Sequence, residues 1–406
     1  MNFDAAQTLL KKYNQTQLLD YYGELDEEKR QELLDGIESI DFESFSAIDF
    51  HSERKIGELS PADALSLKEI EAHRAEYEKA GLKALREGKV AAVLLAGGQG
   101  TRLGLDAPKG TFNIGVNKKL SIFGCQFNNL LKVVEKAGVY PRVFVMTSVI
   151  NNAQTVEFFK ENSYFGYDKN KVRFYVQKTA PAVSFDGKIL LEEKYKPVLT
   201  PNGNGGWYSS LAASECGKLL AKEGIEWLNV YGVDNVLQRI CDPVFIGATV
   251  LSGLNCAGKF VKKACAEEKV GVLCKENGLP SVVEYYEMPD GKKTERNADG
   301  ELKYNCGVIL NYLFSVNKLN EINACKLPYH LAAKKIKCVC GGKVIVPDEP
   351  NGYKLETLAV DMIKLTGSCL GFEVEREKEF APVKNMTGVD SVETARALLI
   401  KNGVEI

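Results

Sequence analysis

The sequence predicts an α/β protein whose core is a doubly wound, mixed but mainly parallel sheet. The first observation behind this fold class is that residues 90–96 are apolar on both faces, as a central parallel strand requires. The second is that similar apolar segments alternate with amphipathic helical stretches along the chain. Right-handed crossovers between parallel strands then place a ligand site beyond the carboxyl ends of those strands.

The N-terminal region, residues 1–85, is predicted to be helical. Leu9 and Leu10 begin a series of apolar residues that recur at helical spacing. The Ser60-Pro61 pair is predicted to open a helix that continues through 65–85.

Residues 86–380 are predicted to form the central domain, and 381–406 a short C-terminal segment. The predicted strands are 90–96, 143–146, 172–176 and 227–231, and the predicted helices are 123–137, 152–161 and 208–223. From 271 to 314 the pattern becomes richer in strands, with hairpin-like turns expected at 289–291 and 298–300.

The composition excludes several classes of function. The 406 residues carry a net charge of −2, so we expect neither nucleic acid nor a membrane as a partner. Only three histidines are present, which leaves serine-type triads and histidine metal sites poorly supplied. The 11 cysteines include no CxxC pair, and we expect reduced thiols that act as small core residues. Since the first residues also lack the features of a signal peptide, the expected location is cytoplasmic.

A glycine-rich loop, Gly97-Gly98-Gln99-Gly100-Thr101-Arg102-Leu103-Gly104, directly follows the first predicted strand. Closely spaced glycines let backbone N–H groups turn toward an anion, because no Cβ atom obstructs them. Arg102 adds a planar fork that suits phosphate oxygens, and Lys109 adds a second cation after Pro108. A glycine-rich turn without a ligand is the structural alternative, but two fixed cations beside one loop favour a bound triphosphate.

The loop matches neither of two common nucleotide-binding motifs. It lacks the Gly-Lys-[Ser/Thr] of a Walker A loop, and it has one residue too many before the third glycine of a dinucleotide fingerprint. A nicotinamide dehydrogenase would also need an acidic residue about 20 positions further on, and 117–123 contains none. We therefore reject a dehydrogenase. A nucleotide-binding module without activity is disfavoured by Arg102, Lys109 and Asp234, and absence of turnover with Mg²⁺ would support it.

The glycine-rich loop followed by Pro108-Lys109-Gly110 resembles the signature of eukaryotic-type UDP-N-acetylglucosamine pyrophosphorylases. These enzymes are nucleotidyltransferases of the UDP-sugar pyrophosphorylase superfamily. UDP-glucose enzymes carry a similar loop without the arginine, so Gln99 and Arg102 favour the amino-sugar branch. The resemblance implies a Rossmann-like nucleotidyltransferase core in the central domain.

The resemblance also assigns site residues. It implies nucleotide binding by Gly97, Gly98, Gln99, Gly100, Gln177, Gly203 and Gly205, sugar binding by Asn204, Gly271, Glu284 and Asn305, and catalytic roles for Arg102, Lys109 and Lys384. Asn204 also belongs to the loop 201–206, which is expected to contact uridine. The segment 178–181 departs from the family's usual pattern, and 350–354 is expected to be a loop on the substrate side.

Asp234 is the predicted metal ligand. It follows the apolar segment 227–231, and a carboxylate at the end of a strand suits Mg²⁺, which prefers one or two carboxylates plus substrate phosphates. The structural alternative is a helix cap. The resemblance favours the metal, because the metal-binding aspartate of the superfamily stands at this position. Mg²⁺ is therefore the expected cofactor.

The reaction that the resemblance implies is uridylyl transfer from UTP to N-acetylglucosamine-1-phosphate, with release of pyrophosphate. The sugar phosphate is a dianion near neutral pH, since its second pKa is about 6, and it can attack without a general base. Catalysis then consists of positioning and charge neutralisation. The alternative is a UDP-glucose or broad-specificity pyrophosphorylase. Longer family members continue with a β-rich module, and without it we expect a monomer rather than an oligomer.

Overall fold

The structure is a computed structural model that describes residues 1–46, 48, 50 and 55–406. Contacts divide the chain into two compact units. The larger unit comprises Arg54–Gln177, Trp207–Cys325 and Val360–Ile406, and the smaller unit comprises Met1–Glu53, Lys178–Gly206 and Lys326–Ala359. This grouping follows contacts and not chain order. The consecutive domains expected from the sequence, with boundaries near 85 and 380, stay a prediction.

The helices of the described residues are α1 (Phe3–Lys12), α2 (Glu27–Glu38), α3 (Phe42–Ser46), α4 (Leu67–Ala72), α5 (Arg74–Arg86), α6 (Ile122–Ala137), α7 (Asn152–Glu161), α8 (Trp207–Ala213), α9 (Glu215–Lys222), α10 (Pro243–Ser252), α11 (Asp290–Lys293), α12 (Val316–Ile322), α13 (Asp361–Thr366), α14 (Arg376–Glu379) and α15 (Val392–Lys401).

The strands of the described residues are β1 (Leu59–Pro61), β2 (Ala64–Leu65), β3 (Val90–Leu95), β4 (Arg142–Thr147), β5 (Val172–Val176), β6 (Thr179–Pro181), β7 (Val183–Ser184), β8 (Leu191–Glu193), β9 (Lys196–Pro197), β10 (Leu199–Pro201), β11 (Trp227–Gly232), β12 (Cys256–Lys262), β13 (Val272–Glu276), β14 (Leu279–Val283), β15 (Cys306–Ser315), β16 (His330–Lys334), β17 (Cys338–Cys340), β18 (Lys343–Ile345), β19 (Gly352–Glu356) and β20 (Leu370–Glu373).

One large sheet organises the larger unit, and its main path runs β2-β20-β12-β15-β11-β3-β4-β5. β11, β3, β4 and β5 are parallel neighbours, and β20 is parallel to both β12 and β2. β15 is antiparallel to β11 and to β12, which makes the sheet mixed. Every residue of β3 and β4 is buried, as expected for strands covered on both faces. The predicted fold class is confirmed.

Helix α6 illustrates why these segments adopt their predicted form. The Ser121 side chain accepts from the Gly124 N–H at its start, and Gly138 ends it in the left-handed conformation. Phe123, Phe127 and Leu130 are among the residues on its buried face at helical spacing. The prediction for this helix is confirmed to within one residue.

Two predictions about helix starts and breaks are wrong. The Ser60-Pro61 pair lies in β1, which pairs with β13. The helix begins instead after Ser66, whose side chain forms a capping box with Glu69. The predicted helix over 65–85 is interrupted at His73, which separates α4 from α5.

Two further local predictions differ from the structure. The predicted helix over 208–223 is divided into α8 and α9 by Ser214, whose side chain caps α9. The turn expected at 289–291 opens the short helix α11 instead of a hairpin. The turn at 298–300 is confirmed, because Gly300 has φ 84° and donates its N–H to the Asn297 carbonyl at 3.0 Å.

The smaller unit contains short antiparallel sheets, β16-β19-β7, β10-β6, β17-β18 and β8-β9. Leu10 of α1 and Leu33 of α2 belong to its buried apolar core. Gln15 is buried and links this N-terminal stretch to a later one. Its Nε2 donates to the Gly187 carbonyl and its Oε1 accepts from the Ile189 N–H, both at 2.9 Å.

In the part of the chain that the structure describes, no helix is both long and apolar enough to cross a membrane.

Candidate functional site

Four parallel strands bring their carboxyl ends to one edge of the sheet in the larger unit. β5, β4, β3 and β11 are consecutive neighbours, so the residues that follow them emerge at the same edge. Gln177 follows β5, Asp234 follows β11, and the glycine-rich loop follows β3. This is the edge at which an α/β sheet is expected to bind a ligand.

The glycine-rich loop contacts the segment that carries Lys109. The Lys109 N–H donates to the Gly98 carbonyl at 3.2 Å, and the Gly100 N–H donates to the Ala107 carbonyl at 2.9 Å. These two bonds place Lys109 beside the loop, as the sequence predicted.

Several donor groups of the glycine-rich loop are available to bind an anion. Among the described residues, the backbone N–H groups of Gly98, Gln99 and Thr101 have no hydrogen-bond partner. A Cβ atom at Gly98 would meet nothing within 4 Å, so this part of the loop is open. Arg102 is exposed. Unpartnered N–H groups beside a guanidinium form a suitable arrangement for phosphate oxygens.

Asn151 fixes the start of this loop, and the sequence analysis did not find it. Its Nδ2 donates to the carbonyls of Ala96 at 2.9 Å and Gly98 at 3.3 Å. Its Oδ1 accepts from the Ser148 N–H at 2.8 Å, and the residue is fully buried. A polar residue shortly after an apolar strand is the one available sequence signal, and this signal does not identify the bonding partner.

Gln177 lies against Gly97, so two of the predicted nucleotide-binding residues are in contact. The Gln177 N–H donates to the Thr147 carbonyl at 2.8 Å, which continues the pairing beyond β5. A Cβ atom at Gly97 would lie 2.8 Å from Oε1 of Gln177. An alanine at this position would therefore require the end of the Gln177 side chain to shift.

Lys109 and Asp234 form an ion pair. Nζ of Lys109 donates to Oδ1 of Asp234 at 2.6 Å, and the two side chains are 13% and 41% exposed. The helix that follows, α10, is capped by Asp242, so Asp234 does not serve as a helix cap. The carboxylate of Asp234 is instead accessible at the edge where the glycine-rich loop lies.

Lys384 is tied to the same edge through its own backbone. The preceding residue, Val383, donates its N–H to the Asp234 carbonyl at 2.9 Å. Nζ of Lys384 donates to Oδ2 of Asp390 at 2.9 Å. The ammonium groups of Lys384 and Lys109 are therefore each paired with a carboxylate.

Two of the predicted sugar-binding residues, Gly271 and Glu284, lie close together, and a third, Asn305, lies at the start of β15. Gly271 lies so close to Glu284 that a Cβ atom on the glycine would be 3.2 Å from Oε1 of the glutamate. The Gly271 carbonyl accepts from the Val308 N–H of β15 at 2.9 Å. Asn305 directly precedes β15, and its carbonyl accepts from the Lys263 N–H at 2.9 Å. Carboxylate and amide groups can both bind sugar hydroxyls.

A bulge in β15 lies between the Asn305 end of this strand and the part that pairs with β11. The register of β12 against β15 shifts between Gly258 and Phe260. Leu310, within the bulge, has φ 52°. A Cβ atom at Gly232 would lie 2.6 Å from Cδ2 of Leu310, so this side chain occupies the space beside the end of β11. Bulges of this kind redirect strands next to functional sites.

Gly203, Asn204 and Gly205 lie in the smaller unit, where their loop packs against 357–359. Gly203 has φ 84°, and a Cβ atom on it would collide with the Thr357 carbonyl. A Cβ atom on Gly205 would lie 2.7 Å from the carbonyl carbon of Thr357, and Oδ1 of Asn204 accepts from the Ala359 N–H at 2.8 Å. Local packing alone requires both glycines, so the approach of a base is not needed to explain them. Their contact with uridine stays a prediction.

Comparison with known proteins shows which family and which relatives this chain is similar to. The family model described as UTP–glucose-1-phosphate uridylyltransferase matches residues 46–402. UDP-N-acetylhexosamine pyrophosphorylase-like protein 1 of Homo sapiens is 39% identical over 339 residues, which are 80% of this chain and 67% of that protein. UDP-N-acetylglucosamine pyrophosphorylase of Saccharomyces cerevisiae is 36% identical over 420 residues, 96% of this chain and 88% of that protein.

A solved structure shows the same fold. The uridine diphosphate N-acetylglucosamine pyrophosphorylase of Trypanosoma brucei, solved in complex with an inhibitor, superposes with a TM-score of 0.82 and 28% identity. The match covers 98% of this chain and 84% of that one. Since the matched range also includes the glycine-rich loop, Asp234 and Lys384, the chain belongs to the UTP–glucose-1-phosphate uridylyltransferase family.

Proposed function

We propose that this protein is a uridylyltransferase that converts UTP and N-acetylglucosamine-1-phosphate into UDP-N-acetylglucosamine and pyrophosphate. The observation that carries the proposal is the Lys109–Asp234 pair beside a loop with unpartnered N–H groups. Cationic side chains, a carboxylate and backbone amides at one strand edge are the parts that phosphoryl transfer uses. The names of the human and yeast relatives support an amino-sugar phosphate as the acceptor.

The nucleotide half of the reaction is assigned to the glycine-rich loop and the cations near it. The N–H groups of Gly98, Gln99 and Thr101, together with Arg102, would hold the pyrophosphate that leaves. Lys109 and Lys384 would neutralise the charge that develops on the phosphoryl oxygens. Each preorganised donor of this kind typically contributes about 10²–10³ in rate. Gly97, Gly100 and Gln177 would bind the rest of the nucleotide.

The sugar half is assigned to Gly271, Glu284 and Asn305, and the close approach of Gly271 to Glu284 supports the assignment of these two. Glu284 can accept two hydroxyl hydrogens, and the Asn305 amide can both donate and accept. Since the second pKa of a phosphate monoester is about 6, the acceptor is already a dianion at neutral pH and attacks the α-phosphorus in line. The uridine contacts proposed for Gly203 and Gly205, and the sugar contact proposed for Asn204, rest on the family resemblance.

Mg²⁺ is the proposed cofactor and Asp234 its proposed protein ligand. Among the described residues, no group of three or more histidine, cysteine or acidic side chains could hold a metal ion. A single accessible carboxylate nevertheless suits Mg²⁺, which keeps several waters and takes substrate phosphates as its other ligands. When bound, such an ion neutralises phosphate charge and orients the triphosphate.

The decisive experiment measures pyrophosphate release from UTP with two acceptors, N-acetylglucosamine-1-phosphate and glucose-1-phosphate. We expect kcat/KM to be at least about 10-fold higher for the amino-sugar phosphate, because a site built for the acetamido group leaves polar groups unpaired with glucose. Equal values would contradict the acceptor assignment. Absence of release with either acceptor would contradict uridylyl transfer itself.

A second candidate is uridylyl transfer to glucose-1-phosphate, and the description of the matching family favours it. The two-acceptor assay distinguishes the candidates, since a preference for glucose-1-phosphate would select this one. The cytoplasmic location and the monomeric state also remain proposals. Free thiols support the location, and seven of the eleven cysteines are buried without a disulfide.

A further inference from the structure

Asn235 follows Asp234 and has a bonding pattern that none of the proposed ligand contacts explains. The residue is 3% exposed. Its Nδ2 donates to the Glu379 carbonyl at 2.6 Å, and its Oδ1 accepts from the Ala381 N–H at 2.8 Å. One amide side chain therefore satisfies the backbone on both sides of Phe380, as a neighbouring strand would.

Backbone pairing continues from Asn235 to Lys384. Asn235 and Pro382 form an antiparallel bridge, and the Val383 N–H donates to the Asp234 carbonyl at 2.9 Å. Lys384 is the next residue along the chain. The position of the Lys384 backbone relative to that of Asp234 is therefore set by this short ladder, and Asp390 holds the ammonium group at the end of the side chain.

The other end of the ladder is anchored by a buried cluster of charges. Lys259 is fully buried, and its Nζ donates to Oε2 of Glu379 at 2.7 Å and to Oδ2 of Asp242 at 3.1 Å. Glu379 cannot leave this cluster without exposing an unpaired charge to the protein interior. Asn235 thus connects a fixed point, Glu379, to the segment that ends at Lys384.

We propose that Asn235 is a positioning residue, which holds Lys384 in register with Asp234 so that both groups act on the same phosphates. Asn235 touches no substrate in this role and acts through the backbone of 379–383. The inference rests on the proposed function, because it requires Lys384 to act in uridylyl transfer.

The first test is Asn235→Ala, which removes the two side-chain hydrogen bonds to 379–381 together with a longer one that Oδ1 accepts from the Leu237 N–H at 3.3 Å. We expect kcat for pyrophosphate release to fall about 10- to 100-fold, because a displacement of about 1 Å at a reacting centre can cost this much. The KM for the sugar phosphate should stay within a few-fold of the parent value, since the residues proposed for the sugar are untouched.

Asn129→Ala is the matched control. Asn129 lies on α6, and its Nδ2 donates to the carbonyls of Val236 and Gln238, both at 3.1 Å. The control therefore also removes an amide that holds the loop after β11, but one without a side-chain hydrogen bond to 379–383. We expect its kcat to stay within a few-fold of the parent. A loss as large as that of Asn235→Ala would overturn the proposal, because it would show that any weakening of the loop has the same effect.

A double-mutant cycle with Lys384→Ala separates positioning from a general loss of structure. If Asn235 acts through Lys384, the double variant turns over no more slowly than Lys384→Ala alone. If Lys384→Ala is itself slow and the kcat losses of the two single variants multiply in the double variant, the positioning role is overturned. The proposed function then stays intact. If Lys384→Ala keeps the parental kcat, Lys384 does not act in uridylyl transfer, and the proposal is overturned.

Asn235→Ser keeps the test decisive if the alanine variant does not fold. The serine hydroxyl can satisfy one of the two backbone groups but cannot span both. We expect native circular dichroism, an unchanged thermal shift with UTP and a kcat reduced about 10-fold, again from misplacement of Lys384. A folded serine variant with parental kcat would overturn the proposal.

Discussion

Lys109 pairs with Asp234, and Lys384 pairs with Asp390. Each ammonium group is thereby held in a defined place by a carboxylate that a phosphate can replace. In the proposed reaction, a phosphate would replace the carboxylate as partner of each ammonium group, so that one charge-assisted hydrogen bond is exchanged for another. Arg102, which is exposed beside the glycine-rich loop, has the planar donor set that holds phosphate best.

Replacing Lys109 should reduce catalysis without unfolding the protein. In Lys109→Ala we expect kcat to fall about 10²–10³-fold, because a fixed donor to the phosphoryl oxygens is lost. Lys118→Ala is the control, since Lys118 pairs with Glu405 at 3.4 Å on the exposed surface. Pyrophosphate release measures both, and parental turnover in Lys109→Ala would refute the assignment.

Arg102 can be tested by separating its charge from its shape. Arg102→Ala should lower kcat about 10²–10³-fold through loss of a donor to the leaving pyrophosphate. Arg102→Lys should recover only part of this loss, because an ammonium group cannot form the paired bonds of a guanidinium. If lysine restored parental kcat, the planar fork would be irrelevant.

The residues of the candidate site differ in how far the sequence could predict them. Arg102 and Lys109 could be found because their charge stands next to a loop whose chemistry is visible in the sequence. Asn151 and Asn235 could not be found, because their partners are backbone groups. Backbone carbonyls and N–H groups are identical at every position, so no residue pattern indicates which of them an amide will meet.

At the scale of elements, β4 and α9 are joined by Arg142 and Glu223. Nε of Arg142 donates to Oε2 of Glu223 at 3.0 Å, and Nη2 contacts the other carboxylate oxygen. Hydrogen bonding to Arg142 holds the pKa of the Glu223 carboxyl below its usual value of 4.5. Because the folded pKa is depressed, this stabilisation is present above about pH 4.5 and is lost as the pH falls through the folded value.

Glu223→Gln should therefore destabilise the protein in a pH-dependent way. We expect the free energy of unfolding at pH 7 to fall by about 1.5–3 kcal/mol, as for a hydrogen bond to a charged group. The difference from the parent should shrink as the pH is lowered below 4.5. Urea unfolding at both pH values measures it, and a difference independent of pH would show that the charge of Glu223 is not the cause.

The buried cluster that joins β12, α10 and α14 should be far more sensitive than surface pairs. In Lys259→Met, Asp242 and Glu379 lose their buried cation and Glu379 keeps only the longer contact with Arg239 at 3.7 Å, so we expect the free energy of unfolding to fall by about 3–5 kcal/mol. Lys262→Met on the same strand removes a half-exposed pair with Glu301, and its cost should be about 0–1 kcal/mol. Equal midpoints in denaturant for the two variants would contradict this difference.

Elements stabilised by local patterns were predicted well, and those that depend on distant pairing were not. The limits of β5 and α7 agree with the prediction, because both elements can be recognised from the residues within them. The Ser60-Pro61 pair has the local features of a helix start. It lies in a strand because β1 pairs with β13, more than 200 residues away. A local pattern carries no information about such a partner.

At the scale of the whole molecule, ligand binding should appear as added stability. UTP at 100 times its Kd should raise the free energy of unfolding by about 2.7 kcal/mol, provided that it binds the native state alone. If Asp234 holds Mg²⁺, EDTA should abolish pyrophosphate release and reduce the thermal shift caused by UTP. Thermal denaturation with and without EDTA measures this, and unchanged turnover in EDTA would contradict a metal-dependent reaction.

The fold class could be predicted, but the grouping of the chain into units could not. Alternation of apolar and amphipathic segments is enough to predict a parallel sheet. The smaller unit instead depends on contacts such as those of Gln15 with Gly187 and Ile189. The sequence around Gln15 does not indicate that its hydrogen-bond partners lie more than 170 residues away.

The smaller unit also has a consequence for how the protein folds during synthesis. Its three stretches are each separated by more than a hundred residues of the larger unit, and the last begins at Lys326. Ribosomes add roughly 5–20 residues per second, so the first stretch waits for tens of seconds before its last partner emerges. During this time the apolar surfaces of Leu10 and Leu33 lack part of their eventual cover, such as Leu355. We therefore expect the nascent N-terminus to expose apolar surface that a chaperone could cover until the last stretch emerges.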